Sequence, residues 1–223
     1  MRPPLRLAAL LGALVLASCG QEEKPAPSPA PERPSAAAPE GCQRVQAPSP
    51  REDEDHKAPR EALDEDATYT ATVRTNCGPF AFELDLKAAP KASASFAALA
   101  RDGYFKDTVF HRIVPGFVIQ GGDPTATGTG GPGYKTEDRP PSGTTYGKGV
   151  VAMAKAENED PGTAGSQFYV VTADDAGLPP DYAVLGKVTG GLDVVERIGK
   201  LGDPSTEQPT QPVVIESVEI AES

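Results

Sequence analysis

From Tyr69 onward the apolar runs are short and separated by glycine and proline: Val109 to Val114, Phe117 to Gln120, Gly149 to Ala154, Gln167 to Thr172 and Ala183 to Val188. Glycine reaches positive φ without steric cost and proline removes a backbone donor, so such punctuation ends regular elements early. The chain holds 23 Gly and 24 Pro in 223 residues, well above the roughly 12% of an average protein. Helical bundles and coiled coils are excluded on that ground. Collagen is excluded because no Gly-X-Y period runs through the chain.

Periodicity gives the elements. Tyr69 to Thr75 alternates, and Asn76-Cys77-Gly78-Pro79 reads as a tight connection. Phe80, Phe82, Leu84 and Leu86 then face one way while Ala81, Glu83 and Asp85 face the other, a half-buried strand closing a hairpin. Pro90 opens a helix with Ala92, Phe96 and Leu99 on one face and Gly103 as its stop. A second helix spans Leu192 to Ile198, with Leu192, Val195 and Ile198 aligned, and a last strand spans Val213 to Ile220. Many short strands with two helices predict a mainly β domain, a barrel or sandwich closed at its ends by the helices. Residues 67–223 are long enough to bury a core, and no internal repeat is visible.

The N-terminus reads as an address. Arg2 and Arg6 precede an apolar run from Leu7 to Leu16, too short to span a bilayer but suited to a secretory signal. It ends in Leu16-Ala17-Ser18-Cys19, which resembles the lipobox of bacterial lipoproteins. That resemblance implies a signal peptide over 1–18, cleavage before Cys19, and acyl chains on Cys19 that hold an extracytoplasmic protein at a bacterial membrane. The bland alternative is an ordinary signal peptide with a chance Cys. Residues 19–66 read as a disordered tether, with Pro25, Pro27, Pro29, Pro31, Pro34 and Pro39 among Ala, Ser and Glu, followed by a charged stretch from Arg51 to Asp66. With Cys19 acylated, Cys42 and Cys77 remain as an even pair in an oxidising compartment, where a disulfide between them is expected; it would pin the stretch from 42 onward against the domain and leave a free tether of about twenty residues. Two free thiols are the alternative.

Charge and motif readings narrow the chemistry further. The formal net charge of −11 leaves no basic surface for nucleic acid. Glu52-Asp53-Glu54-Asp55 lacks the Gly turn and ligand spacing of a calcium loop. Two His and the Cys pair show no metal-ligand spacing, so neither metal nor cofactor is expected. Gly128-Thr129-Gly130-Gly131-Pro132-Gly133 fits a dinucleotide fingerprint in letters only, because Pro132 and the stretch Tyr134 to Pro141 bar the helix it must open; it reads as a mobile Gly-rich loop. His111 has no nucleophile elbow to serve and reads as structural. The carboxylates from Glu157 to Asp160 read as a polar loop.

One constellation survives: Phe110-His111-Arg112-Ile113-Val114-Pro115-Gly116-Phe117-Val118-Ile119-Gln120-Gly121-Gly122-Asp123, joined by Met153-Ala154 and by Gly165-Ser166-Gln167-Phe168-Tyr169-Val170. One cation and one amide amid apolar groups make a poor hydrolase. They suit a pocket for a neutral, partly apolar ligand with one polar feature to polarise.

In these segments, over about residues 68 to 220, the sequence resembles the cyclophilins, a family of peptidyl-prolyl cis-trans isomerases. The resemblance implies a closed eight-stranded antiparallel β-barrel capped by two helices. It assigns Arg112 as the catalytic arginine, Phe117 as the floor of a proline pocket and Gln120 as the hydrogen bonder to the substrate backbone. Val118, Ala154, Lys155, Gln167, Tyr169, Leu178 and Tyr182 match substrate-binding positions, with departures at Val118 (often Met), Lys155 (often Asn), Tyr169 (often Phe) and Tyr182 (often His). The Trp that many members carry just before Leu178 is missing, since the chain has none, which implies weak cyclosporin binding. The implied partners are proline-containing unfolded or partly folded segments, met by a monomer. Two readings compete: a peptide-binding or chaperone module that uses the same groove without turnover, and a purely structural envelope protein, for which Arg112, Phe117 and Gln120 would be coincidental.

Overall fold

The computed structural model describes residues 41–52 and 55–223. The signal sequence, Cys19 and the first half of the tether lie outside the described residues.

The hairpin forms as its alternation demands. Strands β1 (Tyr69–Thr75) and β2 (Gly78–Leu84) pair antiparallel, with Val73 opposite Phe80 and Ala71 opposite Phe82. Their inward residues Ala71, Val73, Phe80, Phe82 and Leu84 are buried. Helix α1 (Pro90–Arg101) follows, with Pro90 in its first turn. No side chain of its own caps the start; instead Asp138 Oδ2 accepts the Ala92 N–H at 2.6 Å. A carboxylate at the positive end of the helix dipole is favourable there. Ala92, Phe96 and Leu99 are buried, and Gly103 at φ 75° ends the turn beyond the helix.

The punctuated middle of the chain supplies β3 (Thr108–Val109), β4 (Arg112–Val114), β5 (Val118–Gly121), β6 (Thr136–Glu137), β7 (Val150–Met153), β8 (Thr163–Ala164), β9 (Phe168–Val171) and β10 (Val184–Gly190). Helix α2 (Leu192–Gly199) and β11 (Val214–Glu222) complete it. One antiparallel sheet runs in the order β3-β11-β1-β2-β10-β7-β9-β5-β4, and β6 pairs with β8 apart from it. Gly186 lets β10 lie close against its neighbour β2, since a Cβ there would sit 1.9 Å from the Glu83 carbonyl oxygen.

The sheet is curled rather than the closed eight-stranded barrel that the resemblance implied. The run Val109 to Val114, read as one strand, breaks at Phe110–His111 into β3 and β4. Phe110 still donates its N–H to Val213 O beside β11, whereas Arg112 onward pairs with β5. The buried Phe110 ring, packed against Phe80 and Phe168, holds this change of partner in place. The broken strand therefore contributes both end strands, and each is paired on one side. An isolated bridge between Val109 and Asp123 ties β3 to the residues just after β5.

Two apolar clusters stand on opposite faces of the sheet. The larger includes Phe80, Phe82, Phe96, Phe105, Phe110, Ile113, Ile119 and Phe168. The smaller holds Val118, Tyr146, Ala152, Tyr169 and Val171, with Phe117, Leu178 and Tyr182 packed at its margin. Residues alternate between clusters along β5 and β9, as period-two geometry requires.

The stretch read from composition as tether lies, from Gly41 on, along the domain. Cys42 and Cys77 form a disulfide. Gln43 N–H donates to Asn76 O, Arg51 N–H to Pro124 O and His56 N–H to Pro132 O. Arg51 also donates to Tyr104 O and sits over the Tyr104 ring, while His56 meets the same ring edge-on at 5.1 Å. Leu63 packs against the larger cluster.

Candidate active site

Register places the key side chains in a row. Arg112 on β4 is directly opposite Gln120 on β5, Gln120 is opposite Tyr169 on β9, and Tyr169 is opposite Ala152 on β7. Directly opposed residues share a face of the sheet. Ile113 and Ile119 point into the larger cluster, so Arg112 and Gln120 must point out over the smaller one.

Arg112, Phe117, Val118, Gln120, Ala154, Lys155, Tyr169, Leu178 and Tyr182 line one cavity of about 180 Å³. That lies below the ~300–1,000 Å³ of drug-sized ligand sites and suits a single small ring. Gln167 belongs to an adjoining cavity of about 360 Å³ that shares Gln120, Ala154 and Lys155. Its Oε1 accepts from Gln120 Nε2 at 3.0 Å, and its Nε2 donates to Gly130 O at 3.0 Å. The amide row thus fixes which way Gln120 presents its carbonyl.

Each wall has its own support. Tyr146, fully buried, donates its hydroxyl to Tyr182 O at 2.7 Å and accepts from Tyr182 N–H at 3.0 Å. The Tyr169 and Tyr182 rings meet edge to face at 5.6 Å, and Lys155 Nζ lies 5.6 Å from the Tyr182 ring centre. Lys155 Nζ also donates to Glu159 O at 3.0 Å. Burial pushes the Tyr169 hydroxyl far above the ordinary tyrosine range. Among the described residues that hydroxyl has no hydrogen-bond partner.

The loop after β5 is tied to a buried carboxylate. Asp123 Oδ1 accepts from Thr125 N and Oγ1, and Oδ2 accepts from Gly128 N and Gly130 N. Burial works against this charge, yet those hydrogen bonds outweigh it and hold the carboxyl below the usual range. The Gly-rich segment is therefore laced down rather than loose, and it opens no helix. Gly122 at φ 85° permits the close approach that begins it, since a Cβ there would lie 2.6 Å from Ser166 O. His111 faces this loop, and burial pushes its imidazole below the usual range against the opposing charge of Asp123.

Comparison with known proteins decides the family. The family described as cyclophilin type peptidyl-prolyl cis-trans isomerase/CLD matches residues 70–220, most of the chain. The chain is a cyclophilin-type peptidyl-prolyl cis-trans isomerase. It is similar to Arabidopsis thaliana peptidyl-prolyl cis-trans isomerase CYP18-2, 38% identical over 148 residues, covering 65% of this chain and 88% of that one. It is 40% identical over 173 residues to Mycobacterium tuberculosis peptidyl-prolyl cis-trans isomerase A, covering 70% and 93%. A Cryptosporidium parvum cyclophilin type isomerase, solved in the presence of the dipeptide Ala-Pro, superposes with TM-score 0.63 at 33% identity, covering 68% of this chain and 98% of that one.

Within this cyclophilin, sequence reasoning missed three supports of the pocket. Glu207 contacts Arg112 from 95 residues away. Tyr146 braces Tyr182 from a loop with no distinguishing pattern. Asp123 was visible as the end of the long motif, but its grip on Gly128 and Gly130 was not.

Proposed function

We propose that this isomerase accelerates X-Pro rotation in extracytoplasmic proteins, assisting their folding, while held to a bacterial membrane through acylated Cys19, and that Arg112 carries the rate enhancement. The observation that carries the reading is that Arg112, opposite Gln120, lines a cavity sized for one ring together with Phe117, Val118, Tyr169 and Leu178.

Rotation about a peptide bond is resisted by about 18–20 kcal/mol because the nitrogen lone pair is delocalised into the carbonyl. Uncatalysed X-Pro exchange takes tens of seconds or longer. Twisting returns the lone pair to nitrogen, which then becomes a hydrogen-bond acceptor. A guanidinium N–H aimed at that nitrogen binds the twisted state and not the planar one, the condition for lowering a barrier rather than tightening binding. Phe117, Val118, Tyr169 and Leu178 grip the ring. Gln120 and the main chain at Ala154 and Lys155 hold the flanking peptide, so that rotation moves one side against a fixed other. A 10⁵-fold acceleration needs about 7 kcal/mol. One charge-assisted hydrogen bond in a desolvated site, together with positioning, is of that order. No nucleophile, metal or cofactor enters the scheme.

The compartment reading rests on the lipobox and on the Cys42–Cys77 disulfide, since such bonds persist in oxidising locations. It is tested by radiolabelled palmitate: label should enter the wild-type chain in cells and be absent from Cys19→Ser, and label retained by Cys19→Ser would refute the anchor. The activity is tested on an X-Pro peptide by a protease-coupled assay of the full-length chain. Accelerated exchange is expected, and peptide binding without acceleration would contradict it.

A further inference from the structure

We propose that Glu207 is a positioning residue for the isomerase, holding Arg112 through its Nε so that the outer amino groups of the guanidinium stay aimed at the proline pocket. The proposal rests on Arg112 being the catalytic arginine.

Among the described residues Glu207 is the hydrogen-bond partner of the Arg112 side chain, with Nε donating to Oε2 at 2.7 Å. That bond leaves Nη1 and Nη2 outside it, on a planar group whose orientation is set once Nε is fixed. Gln120, opposite Arg112 in the strand register, directs its own amide N–H to Gln167 Oε1 at 3.0 Å.

The backbone around Glu207 is built to aim it. Its N–H donates to Asp203 O at 2.8 Å, and its own carbonyl accepts the N–H of the fully buried Ile113 at 2.8 Å. Glu207 thus grips β4 twice, once through the main chain of the residue after Arg112 and once through the Arg112 side chain. The loop presses directly on β4, because a Cβ on Gly202 would lie 2.2 Å from Ile113 O. Asp203 closes the turn by accepting from Ser205 N, Ser205 Oγ and Thr206 N, and Gly202 bridges Pro209.

Glu207 occupies φ 59°, a left-handed conformation that glycine adopts freely and that costs a side-chain-bearing residue. The turn's main-chain bonds to Asp203 and Ile113 hold that conformation and set where the Glu207 side chain leaves the loop, toward Arg112. Stability is a poor explanation. Both side chains are more than a third exposed, and ion pairs at that exposure contribute little. Orientation is the better one, because small misplacements of a catalytic group cost rate steeply.

The test compares five full-length chains: wild type, Glu207→Ala, Glu207→Gln, Arg112→Ala, and Glu207→Ala in the Arg112→Ala background. NMR exchange on an X-Pro peptide gives both the bound cis-trans rate and Kd. Glu207→Ala is expected to slow bound exchange about tenfold while Kd stays within about twofold. Glu207→Gln, which keeps the acceptor, should restore most of the rate. In the Arg112→Ala background the Glu207 change should have no further effect. The Arg112 Nε–H resonance should be protected from water exchange in wild type and Glu207→Gln, and lose protection in Glu207→Ala. An inactive Arg112→Ala beside a fully active Glu207→Ala overturns the role of Glu207 alone. A fully active Arg112→Ala overturns the catalytic reading as well. Equal slowing by Glu207→Ala in both backgrounds shows that it acts elsewhere and also refutes the proposal.

Discussion

Reducing the Cys42–Cys77 bond should destabilise the domain by a predictable amount. The two residues are 35 apart in sequence. A closed loop of that length removes about 13 cal/mol/K of chain entropy from the unfolded state, or about 4 kcal/mol at 25 °C. For a domain of this size each kcal/mol moves Tm by about 2–4 °C, so reduction should lower Tm by about 8–15 °C. The comparison is made on the same chain, oxidised and reduced with dithiothreitol, so that no side-chain volume changes and cavity costs do not enter. Urea unfolding gives the free energy, and hydrogen exchange gives the location. Amides of Gln43, Arg51 and His56, which donate to Asn76, Pro124 and Pro132, should lose protection first, because after reduction only non-covalent contacts hold the strap. A loss below about 1 kcal/mol would refute the entropic reasoning. Unchanged strap protection would refute the claim that the disulfide anchors it.

Three smaller predictions concern single side chains. Tyr146→Phe leaves the Tyr182 N–H and carbonyl without their partner and should cost about 1–3 kcal/mol, seen as a lower urea midpoint together with weaker peptide binding. Tyr169→Phe removes a buried hydroxyl that has no partner; stability should rise by about 1 kcal/mol, and an unchanged or lower midpoint would contradict the burial argument. Burial holds the His111 imidazole below its ordinary range in the folded chain, so the unfolded chain takes up a proton that the folded one resists. Stability should therefore be level above about pH 6.5 and fall as pH drops below it toward the folded value. His111→Gln should flatten that part of a pH series of urea midpoints, whereas Asp123, held below 3.8, acts only at more acidic pH.

What could be read from the letters depended on how many faces each element buries. The alternation of Phe80, Phe82 and Leu84 was plain because the other face of β2 is solvated. Phe168 to Val171 showed none, because Phe168 and Val170 enter one cluster while Tyr169 and Val171 enter the other. The pocket residues on β4 and β5 lie close in sequence, and their motif carried the site. The supports did not show: Glu207 reaches Arg112 only through the final loop, and Tyr146 reaches Tyr182 across 36 residues. Composition by itself does not show that the segment from Gly41 is held, because main-chain hydrogen bonds and a disulfide fix a stretch whose side chains are mostly polar; the cysteine count was the one signal that pointed to it. The break at Phe110–His111 was hidden for a related reason, since a change of strand partner leaves no mark on hydrophobicity.

The central claim is that Arg112 acts on the twisted amide rather than on the resting peptide. The measurement that tests it most directly is the bound exchange rate and Kd of Arg112→Ala on one X-Pro peptide, from a single set of NMR exchange spectra. The account predicts a rate lower by about 10²–10³, the cost of removing one transition-state donor, with Kd within about threefold of wild type. A rate and an affinity that fall in proportion would show uniform binding, and would contradict it.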